Sequence, residues 1–458
     1  MRQAELLDAL LLVVGAKNIL RDEKARYASI DQSTNVSACM PFVVVRVSNI
    51  SELIRVTQVC ISFKNPLVIR AAGTGKSGGA VPGASWVVVD TSALNKIINI
   101  DKENLTAEVE PGVILSELQT RVKEYGLFYP PDPASYDICT IGGNVAENAG
   151  GPSTLKYGCT REYLLGGQAI LGTGEVINFG KQCPKGVAGY DIASLLCGSE
   201  GTLAVFCKFT LRLLPWPKDQ AQSLFLFKNE EEALDCVPKI FSFGHRPKIL
   251  EYIDANCIKA LQKQGFLKFL PKLGAALLIE CDASFVDGGR MQIAAIIQSL
   301  GLPQTHVIEA KSHQKQAEFR RFRAGLSVAC QKYLGKKISE DIALPISKLG
   351  SFRRWFMAQG DNLGLSCALF GHAGDGNLHV QILFEKEEER DKAQALRHEV
   401  LLKILELGGT LSAEHGIGLQ KVNYLGLEQS VELINLQKRI KHAFDPHNLL
   451  NPGKIFAN

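Results

Sequence analysis

Two patterns of apolar spacing divide the chain. From residue 40 to 214, short apolar runs are bounded by Gly, Pro and Asn, which predicts strands separated by turns. "PFVVVRV" (41–47) and "NPLVIRA" (65–71) read as buried strands, and a helix is predicted between them over Ser51–Phe63, giving a compact βαβ unit. "SWVVVD" (85–90), "IINIDKENLTAEVEPG" (97–112) and "GQAILGTGEVINFG" (167–180) read as strands and hairpins. Ser116–Tyr125 reads as a short helix, and "GTLAVFCKFTLRLLP" (201–215) closes the region as strand.

Pro215-Trp216-Pro217 marks a boundary. Beyond it, "SLFLF", a helix from Glu230 and "PKILEYID" form one β-α-β run; "GAALLIECD", a helix from Gly289 and "QTHVIEA" form a second. Two such split units predict a ferredoxin-like α+β sheet. A long helix (Lys315–Tyr333), a strand near Ile342, a helix (Ile346–Asn362) and a hairpin from His372 to His379 complete it. The last residues are predicted helical, ending in "FDPHNLLNPGKIF", whose two prolines set a fixed turn. The expected domains are 1–215, 216–410 and a C-terminal segment, 411–458.

A chain of 458 residues is long for one domain, in agreement with this division. With 51 Lys+Arg against 47 Asp+Glu, no basic surplus points to nucleic acid. Arg320-Arg321 and Arg353-Arg354 read as solvated helix faces. None of the 12 cysteines forms Cys-x-x-Cys, so an iron–sulfur or structural zinc ligand set is not expected within this chain. Cys60, Cys197, Cys207 and Cys330 read as small buried hydrophobes in a reducing compartment. The apolar run Ala9–Val14 follows Glu5 and Asp8 and lacks a basic start, so an amphipathic first helix is expected rather than a leader. No apolar stretch reaches the ~20 residues of a membrane span. The expectation is a cytoplasmic chain, peripheral to a membrane only through a partner.

"AGTGKSGG" (72–79) imitates two phosphate-binding motifs. A Walker A loop needs glycine five positions before Gly75, where Arg70 stands, and a helix after it. Gly78-Gly79-Ala80-Val81-Pro82-Gly83 cannot start a stable helix, which also removes the Gly-x-Gly-x-x-Gly dinucleotide reading. What remains is a glycine loop whose backbone N–H groups can nest an anion.

A second cluster, "YPPDPASYDICTIGGNVAENAGG" (129–151), is followed by "YGCTREYLLG" and "GSEGTLAV" (198–205). With "RAAGTGKSGG", these segments resemble the flavin-binding domain of the vanillyl-alcohol-oxidase flavoproteins. The resemblance is closest to the branch of D-lactate dehydrogenase, D-2-hydroxyglutarate dehydrogenase and the flavin-carrying glycolate oxidase subunit. It runs from "LRDEKARYASID" to "NPGKIF". It implies an α+β fold: a two-subdomain FAD-binding domain, a ferredoxin-like α+β substrate (cap) domain, and a C-terminal segment returning to the first. The FAD diphosphate would lie on Ala72, Gly73, Thr74, Gly75, Lys76, Ser77 and Gly78. Pro133, Thr140, Gly142, Gly143, Asn144, Gly150, Gly151 and Tyr157 would run beside the flavin, and Glu200, Gly201 and Val205 would line the adenine side. Ala71 and Lys76 stand where relatives carry glycine and leucine. Neither glycine cluster holds the histidine by which some relatives tether flavin, so non-covalent FAD is expected.

Of nine histidines, His372 and His379 are seven residues apart in "GHAGDGNLH", and His415 follows Glu414 in "SAEHGIG". His372, His379 and Glu414 make a His₂-carboxylate set suited to a catalytic divalent metal. The resemblance assigns these positions to zinc or a similar ion and makes His415 the base. It also assigns Arg323, in "EFRRFRAGLS", to the substrate carboxylate, with Ser327 offering a hydroxyl one turn on. Ala324, Ser339 and Gln381 replace an acid, a lysine and an asparagine of relatives. The implied activity is oxidation of a small D-2-hydroxy acid by hydride transfer to flavin N5. The expected electron acceptor is an iron–sulfur protein or a quinone; the alternative is a flavin carrier within a larger complex, with little turnover alone.

Overall fold

The computed structural model describes residues 2–28, 39–266 and 274–457. Residues 29–31 of the "LRDEKARYASID" motif lie outside the described residues. The chain forms two compact units: Met1–Gly150, Gly158–Trp216 and Glu414–Asn458 make the first, and Gly151–Tyr157 with Pro217–Ala413 the second.

In the first unit, strands Val43–Arg46 and Leu67–Arg70 pair in parallel on either side of Val87–Asp90. Both faces of these strands are covered, which is why they read as unbroken apolar runs. Val43, Val45, Val87 and Val89 join a core with Leu6 and Leu10 of helix Arg2–Val14 and Leu53, Val56 and Cys60 of helix Ile50–Ser62. Val44, Val68 and Val88 cluster separately. The Asn49 side chain accepts from Glu52 N and starts the second helix. A five-stranded antiparallel sheet forms the other half of the unit, in the order Ile97–Asp101, Thr106–Val109, Ala204–Arg212, Leu164–Leu171, Val176–Gly180.

The second glycine cluster contains a helix, Ile141–Glu147, where its glycines suggest only a close-approach loop. Thr140 caps the helix by accepting from Gly143 N, offsetting part of the ~1 kcal/mol that each helical glycine costs. A Cβ at Gly142 would lie 2.8 Å from Pro111 Cβ, so packing requires the glycine.

The second unit is built on a seven-stranded sheet, in the order Val307–Glu309, Asp219–Phe227, Ala275–Ala283, Ile249–Asp254, Ser366–Gly371, Asn377–Phe384, Lys336–Ala343. Ala275–Ala283 pairs antiparallel with both strands of the first β-α-β run, so the two predicted runs interleave as split units. Helices Ala255–Gln264 and His313–Leu334 pack on one face through Leu261, Phe319, Phe322 and Leu326. Helices Glu230–Ser242, Gly288–Leu300, Leu349–Leu363 and Arg390–Glu406 cover the other. No helix among the described residues is long and apolar enough to cross a membrane.

Candidate functional site

The glycine-rich segments of the first unit converge on a cavity of about 470 Å³, inside the roughly 300–1,000 Å³ range of ligand sites. Ala72, Gly73, Thr74, Gly75, Lys76, Pro133, Thr140, Gly142, Gly143, Asn144, Gly150, Glu200 and Gly201 line it. So do Glu414 and His415, whose Oε1 and Nε2 are 3.7 Å apart.

Five expected cofactor contacts lie elsewhere. Val205 is buried in the core with Ile170 and Cys207, because strand alternation turns its neighbours Ala204 and Phe206 to the cavity instead. The carbonyl of Ser77 accepts from Leu419 N and Gln420 N, and Gly78 forms a turn in which its carbonyl accepts from Val81 N. Gly151 and Tyr157 belong to the second unit. Gly151 N donates to Thr154 Oγ1, and the Tyr157 hydroxyl donates to Asp282 Oδ2 at 2.7 Å.

Sequence reasoning missed Arg70 and Asn451 at this cavity, and Lys454 beside the expected Glu200. The Arg70 guanidinium lies against Gly73: a Cβ there would sit 2.8 Å from Arg70 Nη2. Glu200, buried and with φ 52, accepts from Ile417 N at 2.8 Å and Gly418 N at 2.7 Å. Left-handed backbone at a non-glycine residue is uncommon and clusters at functional sites. Burial pushes the Glu200 carboxyl up to about 7, against the pull of those two N–H groups and the Lys454 charge. Lys454 is buried too; desolvation brings its ammonium down to about 8, opposed by Glu200. Asn451 Nδ2 donates to Gly79 O at 2.7 Å and to Glu200 O at 2.8 Å, joining the glycine loop to the "GSEG" turn. "NPGKIF" is the only signal the sequence holds for these C-terminal contacts.

The cavity fits a flavin dinucleotide. Asn144 Nδ2 and Asn451 Oδ1 are buried polar atoms on its wall without a hydrogen-bond partner, as ligand-facing groups would be. Gly75 faces open space, since its Cβ would meet nothing nearer than Glu147 Oε1 at 3.9 Å. Arg70 and Lys76 supply positive charge beside the loop.

The second unit gathers its own polar cluster. The strands Ser366–Gly371 and Asn377–Phe384 form the predicted hairpin and bring the His372 and His379 rings to 5.4 Å. Asp341 Oδ1 lies 3.7 Å from His379 Nδ1 and accepts from Asn377 Nδ2 at 2.7 Å. Arg323, on helix His313–Leu334, places Nη2 3.4 Å from each ring nitrogen of His372. Glu251, invisible to the sequence reading, bonds both Arg323 Nε and His372 Nδ1. Burial raises its carboxyl, but the Arg323 and His372 charges and hydrogen bonds outweigh that and hold it down at about 2. Ser327 is engaged by Lys337 Nζ, and Ser339 Oγ donates to Gln381 Oε1 at 2.9 Å. Two imidazoles with carboxylates behind their Nδ1 edges are a donor set that suits a divalent metal.

Residues 41–180 match the FAD binding domain family, and residues 216–455 match the C-terminal domain of FAD linked oxidases. The chain belongs to the FAD-linked oxidase family. Among its relatives are glycolate oxidase subunit GlcD of Bacillus subtilis, 34% identical over 98% of this chain and 96% of that one, and a D-lactate dehydrogenase of Anaerostipes hadrus, 31% identical over 98% and 97%. A D-lactate dehydrogenase of Archaeoglobus fulgidus is 34% identical over 90% of this chain and 91% of its own. Among solved structures, p-cresol methylhydroxylase matches with a TM-score of 0.82 over 100% of this chain and 97% of that one, at 17% identity. That likeness concerns the fold alone. This FAD-linked oxidase therefore has the α+β FAD-binding fold that its glycine clusters led one to expect.

Proposed function

We propose that this FAD-linked oxidase converts a small D-2-hydroxy acid, such as glycolate or D-lactate, to the 2-oxo acid. The observation that carries the reading is His415 on the wall of the cavity formed by both glycine clusters. FAD, held non-covalently there by the 72–76 loop and the 133–150 segment, supplies a two-electron acceptor. Arg323 binds the substrate carboxylate through its guanidinium; His372, His379 and Glu414 would hold a divalent ion such as zinc, which would supply Lewis-acid polarisation of the α-hydroxyl. His415 takes the hydroxyl proton as the α-hydrogen leaves with its electron pair; imidazole suits a base working near neutral pH. Relatives named for glycolate and D-lactate support the substrate class. His415→Asn tests the reading: the protein should stay yellow while substrate no longer bleaches it. Normal bleaching would remove His415 from the mechanism.

One relative is named as part of a larger oxidase, which favours a second element: electrons leave through an iron–sulfur protein or a quinone in a multi-component assembly. Turnover of the isolated chain with a soluble dye distinguishes a competent dehydrogenase from a flavin carrier that works only with partners.

A further inference from the structure

We propose that Glu251 is a positioning residue that locks Arg323 and His372 into one rigid pair, Oε2 on the guanidinium Nε and Oε1 on the imidazole Nδ1. The inference rests on the reading of Arg323 as carboxylate anchor and His372 as metal ligand.

Three separate elements meet at this carboxylate. Glu251 lies on strand Ile249–Asp254, whose antiparallel register pairs Tyr252 with Gly371 and so brings Glu251 to the start of the His372 turn. Arg323 reaches it from helix His313–Leu334. Glu251 is 1% exposed, and a carboxylate buried that deeply persists only when charged or hydrogen-bonding partners satisfy it. Each oxygen has one such partner.

The arrangement determines what both partners can still do. A guanidinium presents five N–H donors in a planar fork. With Nε committed to Glu251 and Nη2 3.4 Å from the His372 ring nitrogens, Nη1 and the second N–H of Nη2 remain for a substrate carboxylate. An imidazole whose Nδ1–H is held by a carboxylate keeps its lone pair on Nε2, the tautomer needed to bind a metal. One carboxylate thus sets the anchor's free edge and the ligand's tautomer together.

Glu251→Gln separates these roles. A glutamine can accept from Arg323 Nε with its carbonyl oxygen, but its amide then donates to His372 Nδ1 and moves the ring proton to Nε2. Zinc affinity is measured by chelator competition on the intact protein, with the fold followed by near-ultraviolet circular dichroism. Relative to wild type, Glu251→Gln should bind zinc 10- to 100-fold more weakly, as outer carboxylate partners of metal-binding histidines generally do when removed. Glu251→Asp, which keeps the charge, should recover part of the loss. Wild-type affinity in Glu251→Gln, or equal loss in both variants, overturns the positioning role. A wild-type protein that takes up no zinc or manganese overturns the metal reading itself, and the proposal with it; that result appears in the wild type alone.

Discussion

Lys454 buries its ammonium against the carbonyl oxygen of Val81, with Nζ 2.8 Å from the oxygen. The same ammonium sits 5.0 Å from the centre of the Trp86 ring. A lysine in the C-terminal segment is thereby fixing the loop segment, 81–86, that leaves the 72–79 glycine loop. The first prediction follows from this contact. Lys454→Met should destabilise the protein by roughly 1.5–3 kcal/mol, the range for a lost hydrogen bond from a charged donor, and weaken FAD retention. Urea denaturation and flavin content after gel filtration measure the two effects. Unchanged values for both would show the contact to be idle.

Glu200 and Lys454 also give the stability a definite pH dependence. Glu200 is held at about 7 when folded against 4.5 for the free side chain, so the folded state keeps a proton that the unfolded chain has lost. Its contribution is fully present below about 4.5 and is lost as pH rises through about 7, amounting to ~3 kcal/mol at most. Lys454 acts in the opposite sense at higher pH. Folded at about 8 against 10.5, it adds stability as pH rises from one value to the other. The pair is therefore least favourable between about pH 7 and 8. Glu200→Gln should flatten the difference in melting temperature between pH 5 and 7; a slope equal to that of wild type would exclude Glu200 as its source.

Two glycines near the cavity should respond oppositely to alanine. At Gly75 the added methyl enters open space, so Gly75→Ala should fold normally and lose FAD. At Gly418, with φ +51, the Cβ would lie 2.2 Å from Ser77 O, so Gly418→Ala should lower the melting temperature whether or not flavin is present. Comparing melting curves with and without added FAD separates a ligand-facing glycine from a structural one.

Arg323→Lys should raise KM for the hydroxy acid about ten- to a hundredfold while leaving flavin content unchanged. A compact ammonium cannot hold Glu251 through one edge and a carboxylate through the other, as a planar guanidinium does. Steady-state kinetics with a dye acceptor reads the effect; an unaltered KM would remove Arg323 from substrate binding.

Backbone features were the most legible in the sequence. The valine strands, the glycine loop, the split β-α-β runs and the His372–His379 hairpin all follow from local spacing. Local spacing did not reveal which side of a strand faces a ligand: Val205 points into the core because alternation places Ala204 and Phe206 on the cavity. Nor did it show the helix at Ile141–Glu147, where one threonine cap and the fit of Gly142 on Pro111 outweigh poor helix propensity. Long-range side-chain pairings were hidden altogether. Glu251 meets residues 72 and 121 positions away, and Lys454 bonds a carbonyl 373 positions away, so nothing beside either residue announces its partner.

Anaerobic mixing of the purified protein with D- and L-2-hydroxy acids, followed by flavin absorbance, tests the central claim most directly. Bleaching by a small D-2-hydroxy acid such as D-lactate, or by achiral glycolate, with L-lactate inert and stoichiometric 2-oxo acid formed, is the predicted result. A flavin-loaded protein that no 2-hydroxy acid reduces would contradict the account.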